Sequence, residues 1–304
     1  MRRRLLAALG AAAILLAGTS ACTPGDEGPR VVVTTNILGD VVQRLVGDQA
    51  AVTVLMKPNA DPHSFAISAR EANAMRTADL VVANGLGLEE GVLQHVEAAR
   101  AEGVATVEVG ARIEPMEYRD GDAAGLPDPH FWTDPARVVT AVRLLTDEVV
   151  AHVDGVDVPA VRARAEAYIQ EISDLDADLA ARFARVPAER RVLVTNHHVF
   201  GYLAERYDLE VIGAVLPSGT TLASPSASDL ASLVTAIERH RVRAIFADTA
   251  QPARLAEVLA AEAGLTVRVV GLYSESLSDA GGEAPSYLAM MRFNAEAIIA
   301  GMSV

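Results

Sequence analysis

Two copies of the tripeptide Asp-Pro-His stand out in this 304-residue chain, at residues 61–63 and 128–130. A third histidine position, His197-His198, follows a strand-like run, and the carboxylate of Glu275 follows another. Three imidazoles and one carboxylate from four separate loops form a donor set that suits a closed, four-coordinate site for zinc or a similar divalent ion. The candidate metal ligands are His63, His130, His197 and Glu275.

The residues around these candidates suggest supporting roles. In each tripeptide the proline stiffens the loop and favours an extended conformation for the aspartate before it. Asp61 and Asp128 are therefore candidates to orient an imidazole through a hydrogen bond, although each could equally be a plain turn residue. Asp248 is a further candidate for a supporting carboxylate, and it is the first alternative ligand if Glu275 does not coordinate.

Neighbouring side chains point in different directions, so only one of His197 and His198 is expected to be a ligand, and we favour His197. Phe131 and Trp132, next to His130, are expected to pack the loop and exclude water. The remaining histidines lie within helical patterns and are expected at the surface: His95, His152 and His240.

The elements that must position these loops alternate along the chain, which predicts βα units and parallel sheets. Strand-like runs cover residues 31–34, 52–55, 79–83 and 106–109 in the first half, and 192–195, 210–215, 243–247 and 266–270 in the second. Helical patterns cover residues 38–46, 68–75, 88–101, 134–152, 199–207, 225–240, 252–263 and 286–300. Ser224 and Pro225 are expected as the N-cap and first residue of the helix over 225–240.

Residues 159–187 carry a helical stripe of apolar residues and predict one long connecting helix, with two shorter helices as the alternative. The predicted fold class is α/β: two lobes, each a four-stranded parallel sheet with helices, joined by this helix. The expected boundaries are 31–158 for the N-terminal lobe and 188–304 for the C-terminal lobe. Ligands bind beyond the carboxyl ends of strands in such sheets, so the predicted site lies between the lobes.

The N-terminus is typical of an exported protein. Residues 1–22 combine three arginines, a short apolar stretch and a small-residue cleavage site before Cys22, the only cysteine in the chain. We expect Cys22 to carry a lipid anchor. A soluble periplasmic protein is the alternative, because Thr19 stands where leucine is usual in a lipoprotein signal. Residues 23–30 are rich in proline, glycine and charge and are expected to form a tether. The net charge of −14 argues against nucleic acid as a partner, and we expect a monomer.

Several motifs of this chain match one protein family. They are N-A-D-P-H-S-F at 59–65, A-D-L-V-V-A-N-G at 78–85, D-P-H-F-W-T-D-P at 128–135, T-N-H-H-V-F-G-Y at 195–202 and S-Y-L-A-M-M-R-F-N at 286–294. From about Val31 to its C-terminus the chain resembles the cluster A-I solute-binding proteins of zinc- and manganese-importing ABC transporters. The resemblance implies two α/β lobes, a rigid linking helix, one metal site in the cleft and delivery of the metal to a membrane permease.

The resemblance also implies that His63, His130 and His197 are ligands. The family's fourth ligand is usually aspartate, and this chain has Glu275 at the matching position. The histidine-rich loop that many zinc-binding members carry before the second ligand histidine is absent from residues 113–127.

Two classes of function follow from these residues. The first is a protein that captures a divalent ion, zinc by preference and manganese as the alternative, and passes it to a permease. The second is a metallohydrolase, although the chain lacks an H-E-x-x-H motif. In the first case we expect the long helix to limit lobe movement, and the loop over 273–285, with Gly281-Gly282, to rearrange most on metal binding.

Overall fold

The computed structural model describes residues 28–119, 121–262 and 267–303. In the N-terminal lobe, four parallel strands form a sheet in the order β2-β1-β3-β4. The inner strands are continuous apolar runs and are almost entirely buried, as expected for strands covered on both faces. The elements are β1 (Arg30–Val33), α1 (Asn36–Val46), β2 (Ala51–Val54), α2 (Ala69–Arg76), β3 (Leu80–Ala83), α3 (Leu93–Ala101), β4 (Ala105–Glu108) and α4 (Pro135–His152).

The C-terminal lobe repeats this topology. Its four parallel strands follow the order β6-β5-β7-β8, which matches the order of the first sheet strand for strand. In each sheet the second strand lies on one side of the first strand, and the third strand lies on its other side. This reversal opens a crevice at the carboxyl ends of the strands. The elements are β5 (Val192–Thr195), α6 (Gly201–Tyr207), β6 (Glu210–Ala214), α7 (Ala227–His240), β7 (Ala244–Asp248), α8 (Arg254–Glu262), β8 (Arg268–Leu272) and α9 (Tyr287–Ser303).

One long helix, α5 (Val158–Phe183), connects the two lobes. Its 26 residues span about 39 Å. The Asp157 side chain accepts a hydrogen bond from the backbone N–H of Ala160 and caps the helix, and Pro159 occupies its first turn. The predicted fold class, two parallel four-stranded lobes joined by one long helix, is confirmed.

Helix α5 packs against α1 and α4 of the first lobe and against α9 of the second. Its buried stripe belongs to one large hydrophobic cluster that also contains residues of both sheets. The two lobes therefore share an apolar core along α5, and pulling them apart there would expose it to water. The buried residues of the stripe are Val161, Ala165, Tyr168, Ile169, Ile172, Leu175, Leu179 and Phe183.

Several helices begin later than the sequence predicts, and the reason is visible for α7 and α3. Helix α7 begins at Ala227 because Ser226, rather than Ser224, is its N-cap and forms a capping box with Asp229. Helix α3 begins at Leu93 rather than near residue 88. The preceding turn contains Gly91, whose backbone lies against the carbonyl oxygen of Phe65. This contact supports the loop that carries His63.

Replacement of Gly91 by alanine is expected to lower the free energy of unfolding by roughly 1–3 kcal/mol, because the new Cβ would collide with the Phe65 carbonyl oxygen. Gly281→Ala is the matched control, since no atom lies within 4 Å of a Cβ at that position. Urea unfolding of both variants measures the difference. Equal stabilities would show that the 65–91 contact does not constrain the fold.

Candidate metal centre

Four potential ligands converge at the carboxyl ends of the two sheets. His63 and His130 lie in the loops after β2 and β4, the opposite edge strands of the N-terminal sheet. His197 follows β5, and Glu275 follows β8. One donor atom from each residue lies within 4.8 Å of the others, and all four residues are buried. The structure thus brings together, between the lobes, the four side chains singled out in the sequence.

The spacing of these donors matches that around a single cation. Glu275 Oε1 lies 2.9 Å from His197 Nε2 and 3.4 Å from His130 Nε2, and Glu275 Oε2 lies 4.0 Å from His63 Nε2. The three imidazole centroids are 5.3–5.6 Å apart. Tetrahedral zinc with bonds near 2.1 Å places its donors about 3.4 Å from one another. An ion of this size fits with small adjustments of the side chains.

The polar atoms at the centre of this group lack hydrogen bonds. Within the described residues, neither oxygen of Glu275 and neither ring nitrogen of His63 or His197 has a hydrogen-bond partner, and the same holds for Nε2 of His130. The close approach of His197 Nε2 to Glu275 is not aligned as a hydrogen bond. Buried polar atoms without partners are costly, and a cation at their centre would satisfy them together.

The electrostatics favour a cation over a proton at the imidazoles. Burial lowers the pKa of His63 to about 4 and that of His130 to about 3, and it also lowers the pKa of His197. The imidazoles are therefore neutral at pH 7, the form that binds metal. Burial raises the pKa of Glu275, because a lone carboxylate charge is unfavourable away from water. A bound dication would restore that charge.

Two side chains contact Nδ1 of His130, the ring nitrogen that faces away from the other candidate ligands. Asp128 Oδ1 lies 2.7 Å from Nδ1 of His130, and the Tyr118 hydroxyl lies 3.2 Å from the same nitrogen. With Nε2 facing the other ligands, Nδ1–H donates to Asp128, the arrangement that fixes an imidazole for metal binding. Asp128 thus has the orienting contact expected for it. Tyr118 carries no signal in the sequence, because it lies 12 residues before His130 in a loop without regular structure.

Asp61 and Asp248 make different contacts from those expected. Asp61 Oδ1 accepts the backbone N–H of His63 at 2.9 Å rather than a ring N–H. Asp248 accepts the hydroxyl of Ser274 through Oδ2 and the N–H of Ala250 through Oδ1 at 2.5 Å. Asp248 lies outside the four-donor group, and burial together with the nearby Glu275 charge raises its pKa to about 7.

The segment that carries Glu275 is more firmly held than expected. Residues 274–278 and 284 are buried, whereas residues 279–283 and 285 are exposed. The Trp132 indole donates to the Ser274 carbonyl at 2.8 Å, and Asn36 Oδ1 accepts the N–H of Leu277 at 2.9 Å. Both partners belong to the N-terminal lobe. The first half of the 273–285 loop is thus buried and hydrogen-bonded to the other lobe, and its rearrangement on metal binding stays a prediction.

The other residues singled out in the sequence lie outside the donor group. His198 points elsewhere, and its backbone N–H donates to the Ser218 carbonyl at 3.1 Å. Phe131 and Trp132 are buried beside His130, as expected. Cys22, the predicted signal peptide and most of the predicted tether fall outside the described residues. Among the helices that the structure does describe, none is both long enough and apolar enough to cross a membrane.

Cation affinity is expected to fall on acidification because carboxyl groups take up protons, whereas His63 and His130 stay neutral down to about pH 4. The pKa of Glu275 is raised, and burial raises the pKa of Asp128 to about 7. These groups lose their charge as the pH falls, and the dissociation constant should rise about tenfold per pH unit for each proton displaced.

Calorimetric titration at pH 5.5, 6.5 and 7.5, in buffers of different ionisation enthalpy, measures the affinity and counts the protons released. Glu275→Gln keeps the shape but removes the charge, so it should bind more weakly with a shallower pH dependence. A dissociation constant that does not change over this range would contradict the assignment.

Comparison with known proteins shows similarity over both lobes. The family model described as "Zinc-uptake complex component A periplasmic" matches residues 31–301. The zinc-binding protein TroA of Treponema pallidum is 30% identical over 282 residues, which cover 91% of this chain and 90% of that protein. The solved structure of TroA superimposes with a TM-score of 0.84 at 29% identity, covering 91% of this chain and 100% of that chain.

Two further relatives are named for binding other metals. The iron-binding protein YfeA of Yersinia pestis is 28% identical over 272 residues, 90% of this chain and 86% of that protein. The manganese-binding lipoprotein MntA of Halalkalibacterium halodurans is 27% identical over 297 residues, 96% of this chain and 95% of that protein. Because the family match covers nearly all of both lobes, the chain belongs to the zinc-uptake complex component A family, whose members are metal-binding solute-binding proteins and not enzymes.

Proposed function

We propose that this protein captures zinc outside the cytoplasm and delivers it to the permease of an ABC-type importer. The observation that carries the proposal is the buried group of His63, His130, His197 and Glu275, whose donor atoms face one another without other partners. The zinc ion is the cargo of the protein, held by these four ligands. Four protein ligands also fill a tetrahedral site, which leaves no position for the reactive water of a hydrolase.

The donor types favour zinc over manganese. Imidazole nitrogen suits zinc, whereas manganese prefers oxygen ligands in octahedral geometry, and the general order of affinities also places zinc above manganese. The names of the relatives do not decide the metal, since they include zinc, manganese and iron.

Manganese remains the second candidate because of one feature of Glu275. Both of its oxygens face the histidines: Oε1 lies near His130 and His197, and Oε2 lies near His63. A carboxylate that binds through both oxygens raises the coordination number to five, which suits a larger and harder ion better than a strict tetrahedron does. Glutamate is longer than the aspartate usual in this family and can more easily turn both oxygens toward the centre.

Delivery to a permease requires that the ion be shielded during transit and then released. Burial of all four ligands provides the shielding. The ligands come from both lobes, two from each, so separating the lobes divides the coordination sphere and frees the ion. We further propose that the mature chain begins at Cys22 and is lipid-anchored next to the permease.

Alanine substitutions test the proposed ligands. His63→Ala, His130→Ala and His197→Ala are each expected to weaken zinc binding by more than about 100-fold, because each removes a direct donor. His198→Ala is the matched control and should change the zinc affinity by less than about threefold, since the His198 ring lies outside the group of four donors. Competition titration with a chromogenic chelator, with zinc and manganese in parallel under metal-free conditions, measures the affinities and ranks the two ions. Equal losses at positions 197 and 198 would refute the assignment.

The anchor is tested by fractionation of cells that express the full chain. Cys22→Ser is expected to move the protein from the membrane to the soluble extracytoplasmic fraction, because the acyl chains that hold a lipoprotein attach to this cysteine. Thr19→Leu is the matched control: it introduces the residue usual at that position and should keep the protein at the membrane. A Cys22→Ser protein that stays membrane-bound would place the anchor elsewhere.

A further inference from the structure

Asp61 is the carboxylate at the centre of a hydrogen-bond cluster that crosses the cleft. Its Oδ1 accepts the backbone N–H of His63, and its Oδ2 accepts the hydroxyl of Ser64 at 3.1 Å. Oδ2 also accepts the hydroxyl of Thr221 at 2.6 Å and the side-chain amide of Gln251 at 2.5 Å. The first two donors belong to the same turn as Asp61, and the last two belong to the C-terminal lobe.

The two donors from the C-terminal lobe lie in different loops. Thr221 follows β6 and Gln251 follows β7, whereas the loops after β5 and β8 carry His197 and Glu275. The loop after each strand of the C-terminal sheet therefore contributes either a candidate metal ligand or a hydrogen bond to Asp61. Asp61, two residues before His63 in the chain, thus binds the two loops of the C-terminal sheet that carry no candidate metal ligand.

This contact differs in kind from the shared apolar core along α5. Asp61, Thr221 and Gln251 meet through side-chain hydrogen bonds. A second contact crosses the cleft nearby, where the Tyr118 hydroxyl donates to the Gly219 carbonyl at 3.2 Å. The lobes are thus joined in two ways: by apolar packing along the linking helix, and by polar contacts around the candidate site, which include those of Asn36 and Trp132 to the Glu275 segment.

The chemistry of the Asp61 contact suits a reversible connection between the lobes. Hydrogen bonds to an ionised acceptor are shorter and stronger than neutral ones. Asp61 is only 7% exposed in the closed arrangement, so loss of Thr221 and Gln251 without entry of water would leave a buried carboxylate poorly satisfied. Once the lobes separate, water can replace both donors. Such a contact resists small fluctuations and still permits full opening.

We propose that Asp61 is a positioning residue that latches the two lobes over the bound cation and slows its release. Opening breaks the bonds of Asp61 to Thr221 and Gln251. The same carboxylate holds the turn of His63, so opening of the lobes and loosening of a ligand are coupled. The metal dissociation rate is therefore set partly by two residues, Thr221 and Gln251, that do not touch the metal.

The kinetic test uses variants that remove only the donors from the opposite lobe. Thr221→Val and Gln251→Leu keep the side-chain size and should each raise the zinc dissociation rate about 3–10-fold, as measured by stopped-flow mixing with a chelator. In an Asp61→Asn background, each should add less than about twofold, because the bonds share one acceptor. Ser64→Ala is the matched control: it removes a donor to the same oxygen from within the N-terminal lobe and should leave the rate within about twofold of wild type.

A spectroscopic control separates a latch from a damaged site. The Thr221→Val and Gln251→Leu proteins loaded with cobalt(II) should keep the wild-type visible absorption bands, since their ligands are unchanged. Dissociation rates within twofold of wild type for both variants would overturn the proposal. So would a Ser64→Ala protein that releases zinc as fast as the variants of the opposite lobe, because Asp61 would then act only within its own turn.

The kinetic test rests on the proposed metal capture, so a measurement without metal keeps the two ideas distinguishable. Spin labels at the exposed positions Glu90 and Ser232, one in each lobe, report the lobe separation in metal-free protein that carries Cys22→Ser. The Thr221→Val, Gln251→Leu double variant should shift the distance distribution to longer values, and Ser64→Ala should not. If the wild-type protein binds neither zinc nor manganese, the proposed function fails, and the label distances alone decide the latch. Unchanged distances would then refute it.

Discussion

Burial of three neutral imidazoles and one carboxylate, with their polar atoms facing one another and no hydrogen bonds among them, is the constraint on which this structure depends. Such a group is costly without a bound cation, because its central polar atoms have lost water and gained no hydrogen-bond partner among the described residues. Because the group lies between two sheets, the free-energy cost of burying it depends on how closely the two lobes approach each other. A cation at the centre removes the penalty and ties the lobes together in the same step.

The two sheets need a common frame before four loops can meet within a few ångströms. Helix α5 provides it by packing against both lobes and sharing their apolar core. The N-terminal lobe also grips the Glu275 segment through Asn36 and the indole of Trp132. Part of the C-terminal half of the site is thus held by N-terminal residues. Rearrangement is more readily accommodated in the loops over the site, where many of the contacts are hydrogen bonds that water can replace.

The sequence predicted the fold and the convergence of the four candidate ligands well because both follow local rules. Alternating apolar runs and helical stripes predict βα units with parallel strands, and the loops of the four candidate ligands then lie at the carboxyl ends of those strands. The helix starts at Leu93 and Ala227 were less accurate, since they depend on a tertiary contact of Gly91 and on the choice between two neighbouring serines. Tyr118, Thr221 and Gln251 could not be found at all. Their roles arise from contacts across 12 to 190 residues of chain that no local pattern encodes.

The two Asp-Pro-His tripeptides show how one local motif acquires two roles. In both, Oδ1 of the aspartate accepts the backbone N–H of the histidine at 2.9 Å, so the turn itself is the same. In the second copy, Oδ1 of Asp128 also reaches the ring of His130 and fixes its orientation. In the first copy, Oδ2 of Asp61, which also accepts the Ser64 hydroxyl, meets Thr221 and Gln251 of the other lobe.

The difference therefore arises from what the fold places opposite each turn. Asp61 does not orient the His63 ring, and neither nitrogen of that ring has a hydrogen-bond partner among the described residues. Under the proposed function, a bound cation would fix its orientation. His130 is pre-oriented, whereas His63 is coupled to the closing of the lobes. That asymmetry suits a carrier, because a site with every ligand fixed in advance would bind an ion tightly but would have no built-in way to let it go.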